Sequence, residues 1–355
     1  MATAARFDRS LLLVQWLAGE LGGRYNELLE RVKDAPDRGA PGTSARLMAV
    51  ASRNGLRVAP ALLAKLERDF MADWAGIARA RESALGERFV LTHFQWLAAL
   101  FVELYLTRLA APGGRAALAH ALNELREQNI PALPVVMPAE LNRLALWMAT
   151  GSGKTLMLHL NTLQFLRHAQ VILGQSPQRV LLLTPNEVLS SQHRAELALS
   201  GMDDISLGRT LEIIELTKLY LPQDKDGQRN RVKAGVSVCT DQYAGPNLLL
   251  VDEGHKGGKS NSGDESAFRE RRQALVGMHE SFPVEGRPGF EFEYSATFAQ
   301  IADGDQGFFN DYARCTVFDY GYRRFHDDAS LWVQLGGPGG NPGDAVYPVP
   351  LDALP

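Results

Sequence analysis

The segment 148–155 reads Met-Ala-Thr-Gly-Ser-Gly-Lys-Thr, and its residue types and spacing are those of a phosphate-binding loop. It follows the apolar run 144–147 and precedes a helical leucine pattern, the strand–turn–helix order in which such loops work. Its glycines allow a tight turn that points backbone N–H groups at phosphate oxygens, and the next helix's N-terminus favours the same anion. Lys154 is predicted to reach the terminal phosphates and Thr155 to hold Mg²⁺. The predicted nucleotide-contacting residues are Thr150, Gly151, Ser152, Gly153, Lys154 and Thr155.

Two adjacent carboxylates follow a second apolar strand, 248–251. A magnesium–nucleotide site needs this arrangement, in which Asp252 holds the metal, through water. Glu253 can then polarise the water that attacks the γ-phosphate. Lys154, Asp252 and Glu253 are therefore the predicted catalytic residues, and Thr155 and Asp252 the predicted metal ligands. An acidic turn at a strand end is the ordinary alternative.

Hydroxyl and amide groups end three further strand-like runs. Ser295-Ala296-Thr297 follows an alternating run and is predicted to link the carboxylates to another part of the protein through hydrogen bonds. Thr184-Pro185-Asn186 and Thr240 end two other runs and are predicted to contact a phosphodiester backbone, with ordinary turns as the alternative. His159 and His193 have no partner at metal-ligand spacing, and we predict no role for them.

Composition limits the protein class. The 355 residues suffice for about two domains, and no apolar stretch is long enough to span a bilayer. Two cysteines form neither a disulfide framework nor a metal-binding spacing, and the N-terminus has no signal-peptide pattern. A cytoplasmic protein is expected. The net charge of −4 neither supports nor excludes a nucleic-acid partner.

The chain changes character near three prolines between positions 129 and 138. Apolar spacings of three and four before them predict a helical N-terminal domain over 1–135. Arginines recur there, among them Arg68, Arg79 and Arg81; a solvated helix face is the ordinary explanation and a nucleic-acid or partner surface the alternative.

Short apolar runs after the prolines predict a parallel α/β sheet over 140–325, with helices on both faces. The run 236–240 is one of the predicted strands. The Gly- and Pro-rich tail 336–355 is predicted to be poorly ordered.

Taken in order, these segments resemble the superfamily 2 helicases and translocases, and most closely the DEAD/DEAH-box proteins related to the type III restriction enzyme Res subunit. The loop 148–155 looks like motif I, which tolerates the non-glycine Met148, and Asp252-Glu253-Gly254-His255 resembles the Asp-Glu-x-His box. The segments 184–186 and 295–297 resemble motifs Ia and III, and 318–322 also looks similar to that branch.

The resemblance covers roughly 140–325 and implies a RecA-like first lobe that binds ATP and Mg²⁺. It implies that His255 and Ser295–Thr297 couple the nucleotide state to nucleic acid, more readily DNA than RNA. Such enzymes carry a second lobe with arginine fingers, which does not fit into the residues after Thr297. A second lobe, or a nuclease or methyltransferase subunit, is then expected on another chain. The alternative is a truncated nucleotide- and nucleic-acid-binding module with little hydrolysis of its own.

Overall fold

A computed structural model describes residues 9–35, 44–52, 54–221, 237–243, 245–253, 270–277, 288–298 and 305–334. The helices are α1 (Leu12–Glu20), α2 (Tyr25–Asp34), α3 (Ala45–Ala51), α4 (Pro60–Leu85), α5 (His93–Ala110), α6 (Gly114–Asn129), α7 (Lys154–Leu173), α8 (Glu187–Leu199), α9 (Asp204–Leu207), α10 (Gln306–Cys315) and α11 (Tyr322–Gln334). The strands are β1 (Arg143–Met148), β2 (Arg179–Thr184), β3 (Thr210–Glu215), β4 (Leu219–Tyr220), β5 (Val238–Cys239), β6 (Leu248–Asp252), β7 (Phe290–Ser295) and β8 (Thr316–Tyr320). The predicted tail 336–355 lies outside the described residues.

Six parallel strands form the main sheet, in the order β3-β2-β6-β7-β1-β8. Every residue of β6, β7 and β8 is buried, because helices and connections cover both faces of the sheet. Continuous apolar runs such as Leu248–Val251 are the sequence pattern that such strands require. The predicted parallel α/β fold is therefore confirmed.

Two strands differ from the sequence-based expectation. In the described part of the run predicted over 236–240, strand is formed by Val238–Cys239, which pairs with Leu219–Tyr220 in a separate two-stranded sheet. It ends there because a 3₁₀ turn begins at Thr240. The main sheet gains instead β8, which pairs with β1 from Ala145 onward.

The N-terminal helices pack directly on this sheet. Helix α5 is apolar around most of its circumference, as expected for a helix buried on all sides, and it contacts α7 and β8. Phe94 stacks on Tyr320 with ring centroids 3.9 Å apart, and Tyr25 meets Phe318 edge-on at 5.8 Å. Such aromatic pairs contribute about 0.5–1.5 kcal/mol beyond their burial. The helices and the sheet thus share one hydrophobic core, and the domain boundary near 135–140 stays a prediction.

Helix length and hydropathy also bear on membrane insertion. Within the ranges that the structure describes, no helix is both long enough and apolar enough to cross a bilayer.

Candidate functional site

Four neighbouring strands end beside one another at the carboxyl edge of the sheet. In the order β2-β6-β7-β1 they end at Thr184, Asp252, Ser295 and Met148. Parallel sheets bind ligands at this edge, and the predicted phosphate-binding loop follows β1 there. The topology therefore brings together segments that lie more than 140 residues apart in the chain.

The loop between β1 and α7 has the geometry that its glycines predict. Gly151 and Gly153 both have φ of 82°, in the left-handed region that side chains disfavour. Thr150 is exposed, while Lys154 and Thr155, at the start of α7, are neither fully buried nor exposed. These residues border an accessible edge of the sheet where an anion would meet the N-terminus of the helix.

Ser152 lies inside the loop. Its hydroxyl donates to the carbonyl of Ala149 at 2.7 Å, and its backbone N–H donates to the same oxygen at 3.2 Å. The Ser152 side chain is buried, and these two hydrogen bonds to Ala149 hold the turn closed. Its predicted contact with a nucleotide stays a prediction, and the geometry gives it a shaping role.

Lys154 and Glu253 form an ion pair across the edge of the sheet. Lys154 Nζ lies 3.1 Å from Glu253 Oε1, and both side chains are largely buried. Glu253 has a φ of 51°, and its N–H donates to the carbonyl of Tyr294 at 2.9 Å. A non-glycine residue in this conformation is uncommon outside functional sites and turns. The backbone here turns away from β6 in a way that aims the Glu253 carboxylate at the loop.

Asp252 is paired with a histidine that sequence reasoning left without a role. His193 Nε2 donates to Asp252 Oδ2 at 2.9 Å, and both residues are buried. The other carboxylate oxygen, Oδ1, is buried and has no hydrogen-bond partner among the residues that the structure describes. The only sequence signal for His193 is its position on the buried face of α8 with Ser190 and Leu197.

The hydroxyl-rich end of β7 lies against Glu253. Ser295 Oγ is 3.5 Å from Glu253 Oε2 and accepts a hydrogen bond from the N–H of Thr297 at 3.1 Å. The carbonyl of Ala296 accepts from Trp147 Nε1 at 3.0 Å, which ties this turn to β1. Ser295–Thr297 therefore lie beside the predicted catalytic carboxylate, as the sequence order suggested. Their coupling role stays a prediction, and His255 lies outside the described residues.

A buried charge network anchors β7 two residues before Ser295. The carboxylate of Glu293 contacts Arg143 at 2.7 Å and Arg272 at 2.9 Å, and it accepts from the Tyr312 hydroxyl at 2.5 Å. Burial opposes ionisation, but the charges of Arg272 and Arg143 outweigh it and lower the pKa of Glu293 to about 2. The network fixes the strand that carries the turn at 295–297.

Gln95 is the second residue that sequence reasoning missed. Its side chain completes a capping box with Thr92 at the start of α5, and its Nε2 donates to the carbonyl of Ser152 at 3.0 Å. A Cβ on Gly153 would lie only 2.4 Å from this Nε2, so the loop glycine permits the approach. The sequence pattern Thr92-x-x-Gln95 predicts the capping box. No sequence pattern predicts the contact of Gln95 with a loop 57 residues away.

Three of the four residues predicted to contact nucleic acid are buried. Thr184, Pro185 and Thr240 are buried, and the Thr184 hydroxyl lies 2.6 Å from that of Ser190. Direct contact by these side chains is therefore not supported, because the strand ends lie beneath the surface. Asn186 is exposed at the start of α8 and retains that prediction.

The expected solvated arginine face has an exception at Arg81. Its side chain is only 7% exposed, and Nη1 contacts Glu196 at 2.8 Å and the Ser200 hydroxyl at 3.1 Å. Ser200 in turn lies 2.9 Å from His159 Nδ1. Burial, together with the nearby charges of His193 and Arg81, lowers the pKa of His159 to about 3. Arg81 thus belongs to an internal polar contact between α4, α7 and α8.

Three side-chain groups at this edge of the sheet are of the kinds that bind a nucleotide with Mg²⁺. A buried Asp252 Oδ1 without a partner among the described residues lies at the same sheet edge as the Thr155 hydroxyl and the Lys154 ammonium. Within the same residues, no group of three His, Cys, Asp or Glu side chains forms a ready-made metal site. A cation here would take most of its ligands from phosphate oxygens and water, as Mg²⁺ usually does.

Comparison with known families agrees with this geometry. Residues 114–279 match the family model described as type III restriction enzyme, res subunit. This segment, just under half of the chain, is thus similar to a family of DEAD-like helicase N-terminal lobes, and the RecA-like P-loop fold is confirmed. The match begins earlier than the resemblance over 140–325 and ends before Ser295–Thr297. Searches of curated proteins and of solved structures returned no match.

Proposed function

We propose that residues 114–279, as a domain of the type III restriction enzyme res-subunit family, serve ATP hydrolysis coupled to movement on nucleic acid. The observation that carries the proposal is the shared sheet edge: Lys154 begins α7 after the loop that follows β1, Asp252 and Glu253 lie at the end of β6, and Lys154 and Glu253 are 3.1 Å apart. General ATPase chemistry needs a phosphate-binding lysine, a metal-holding carboxylate and a residue that orients water. All three are present in one small region.

Each residue has a defined part in the proposal. The loop 150–155 cradles the phosphates, and Lys154 leaves Glu253 to bind their terminal oxygens. Thr155 and Asp252 would hold Mg²⁺, which when bound would neutralise charge on the phosphates. Glu253, released from Lys154, accepts a proton from the attacking water.

Nucleic acid is the proposed partner, with DNA favoured because the matching family is that of a restriction enzyme subunit. Asn186 lies exposed at the same sheet edge, where its side chain also caps α8 by accepting from the N–H of Leu189 at 3.0 Å. Ser295 and Thr297 lie next to Glu253 and are the proposed coupling residues. A second helicase lobe and a nuclease or methyltransferase subunit are the proposed protein partners.

The Lys154–Glu253 pair favours a second candidate: a module that binds nucleotide and nucleic acid but scarcely hydrolyses ATP. In the ion pair, the lysine is not free for phosphate and the glutamate is not free to act as a base. Measuring ATP affinity and steady-state turnover on these 355 residues separates the candidates. Efficient hydrolysis by this chain alone would rule out the second.

The main test replaces Lys154 with alanine. Lys154→Ala should weaken ATP binding at least tenfold and abolish DNA-stimulated phosphate release. Lys218→Ala is the matched control, since Lys218 pairs with Glu215 at 2.6 Å beside the end of β3. Stimulated turnover that survives Lys154→Ala, or equal losses in both variants, would overturn the proposed function.

A further inference from the structure

We infer that His193 is the positioning residue for Asp252, orienting that carboxylate so that Oδ1 is left available to a cation. The inference rests on the proposed function, because it takes Asp252 to be the metal-holding carboxylate. It adds a residue that no sequence motif identifies, on a helix that is separate from the nucleotide loop and from β6.

The first support is that the two carboxylate oxygens of Asp252 differ in their hydrogen bonding. Oδ2 accepts the hydrogen bond from His193 at 2.9 Å, whereas Oδ1 is buried without a partner among the described residues. An unpaired buried carboxylate oxygen is costly unless a ligand or water satisfies it. With one oxygen fixed by the imidazole, the other keeps a defined direction.

The second support is that α8 is held in place at both ends. At its start, Asn186 caps the helix and the Ser190 hydroxyl lies 2.6 Å from that of Thr184 at the end of β2. At its other end, Arg81 from α4 contacts Glu196 at 2.8 Å and Ser200 at 3.1 Å. His193 lies between these attachments, so its imidazole has little freedom to leave Asp252.

The third support is the general behaviour of groups behind metal ligands. Hydrogen-bond partners of ligating residues fix the ligand's orientation, and their loss typically costs about 10–100-fold in metal affinity or activity. His193 donates to the proposed ligand from a rigid, buried helix face, which is the geometry that such a role requires.

Two amide substitutions at His193 separate the hydrogen bond from mere packing. The amide nitrogen of Gln reaches about as far from Cβ as imidazole Nε2, while that of Asn reaches only as far as Nδ1. His193→Gln should therefore retain the bond to Asp252, and His193→Asn should lose it. His168→Asn is the matched control, because His168 Nε2 also lies 2.9 Å from a carboxylate oxygen, that of Glu103.

The measurement is binding of a fluorescent ATP analogue in EDTA and along a Mg²⁺ titration. His193→Asn should bind the analogue in EDTA within about twofold of the unsubstituted chain, yet need roughly tenfold more Mg²⁺ for half-maximal response. His193→Gln and His168→Asn should need at most about threefold more Mg²⁺ than the unsubstituted chain. In an Asp252→Asn background, His193→Asn should add no further change, because its effect acts through Asp252.

An unchanged Mg²⁺ requirement in His193→Asn, or equal shifts in the Gln and Asn variants, would overturn the inference. So would a full additional effect in the Asp252→Asn background. If His193→Asn fails to fold, His193→Phe fills the site without a donor and carries the same expectation. An unsubstituted chain that binds no nucleotide would instead overturn the proposed function itself.

Discussion

Lys154 Nζ and Glu253 Oε1 lie 3.1 Å apart, so the positive charge of the phosphate-binding loop is paired with the proposed general base. Both side chains are largely buried, which strengthens their attraction relative to a surface pair. In the proposed function, a nucleotide would replace this carboxylate with its own phosphate oxygens. Binding and activation would then be linked, because the exchange that admits phosphate would also free Glu253.

This exchange predicts opposite effects of Glu253→Gln on binding and hydrolysis. Removing the carboxylate charge leaves Lys154 free, so ATP affinity should persist or tighten several-fold. Phosphate release in the presence of DNA should fall about 10²-fold or more, since a general base typically contributes that much. Affinity is measured by titration with a fluorescent ATP analogue, and hydrolysis by released phosphate.

Glu215→Gln makes the same chemical change in another Lys–Glu pair, at the end of β3. It should leave both quantities unchanged. An equal loss of binding and hydrolysis in Glu253→Gln would count against the base role, because it would point to a general disturbance of the loop.

Gln95 provides a test of how α5 supports the loop. Gln95→Glu keeps an oxygen that can accept the N–H of Thr92, but it replaces the donor to the Ser152 carbonyl with a second acceptor. Leaving a buried acceptor unsatisfied costs about 1–3 kcal/mol. If the unsatisfied Ser152 carbonyl destabilises the binding conformation of the loop by this amount, ATP affinity should fall roughly tenfold or more. The same titration with the fluorescent ATP analogue measures it.

Thr92→Ala is the companion variant, because it removes the side-chain cap of α5 and retains the Gln95 donor. It should lower the free energy of unfolding by about 1 kcal/mol with little change in ATP affinity. If both variants weaken ATP binding alike, the effect belongs to the helix end and not to the hydrogen bond with Ser152.

Local patterns predicted much of the fold and identified residues that lie together in the candidate site. The apolar runs at β1, β2 and β6 are long, β-rich and bounded by turn residues, so strand and parallel-sheet assignments follow from them. The loop 150–155 and the pair Asp252-Glu253 could be found because their chemistry is concentrated in a few consecutive residues. Their meeting at one edge follows from the parallel topology.

The residues that escaped prediction act across long chain separations. Gln95 reaches a loop 57 residues away, and His193 reaches a carboxylate 59 residues away. Neither contact has a local pattern, because each depends on how α5 and α8 pack on the sheet. The burial of Thr184 and Thr240 escaped for the same reason: a hydroxyl at a strand end has the same sequence signature whether it is covered or exposed.

The charge network at Glu293 predicts a large effect on stability. Glu293→Gln removes the negative charge that faces Arg143 and Arg272 in a buried position. Breaking such a buried network by removing one partner costs about 3–5 kcal/mol. Urea unfolding should show this loss in the free energy of unfolding.

Tyr312→Phe calibrates that measurement, since it removes only the hydroxyl that donates to Glu293. A hydrogen bond to a charged group contributes about 1.5–3 kcal/mol, so Tyr312→Phe should cost less than Glu293→Gln. A Glu293→Gln variant as stable as the unsubstituted chain would show that the network adds nothing to the anchoring of β7.

His159 predicts how stability depends on pH. Its pKa is lowered to about 3 in the folded chain, against about 6.5 when unfolded, so the unfolded state binds the extra proton between these values. Stability from His159 is therefore fully present above pH 6.5 and lost as the pH falls toward 3. A difference of up to one bound proton changes stability by up to about 1.36 kcal/mol per pH unit, or about 2 kcal/mol between pH 7 and pH 5.

His159→Asn isolates this contribution, because an amide can still bond to the Ser200 hydroxyl but does not titrate. Urea unfolding of both chains at pH 7, 6 and 5 should show that the variant is less stable at pH 7 and loses less stability on acidification. The window stays above pH 4.5, the ordinary pKa of glutamate, so Glu293 contributes little within it. Parallel pH profiles would show that His159 takes up its proton in the folded chain as readily as in the unfolded one, and its burial would then not govern its charge.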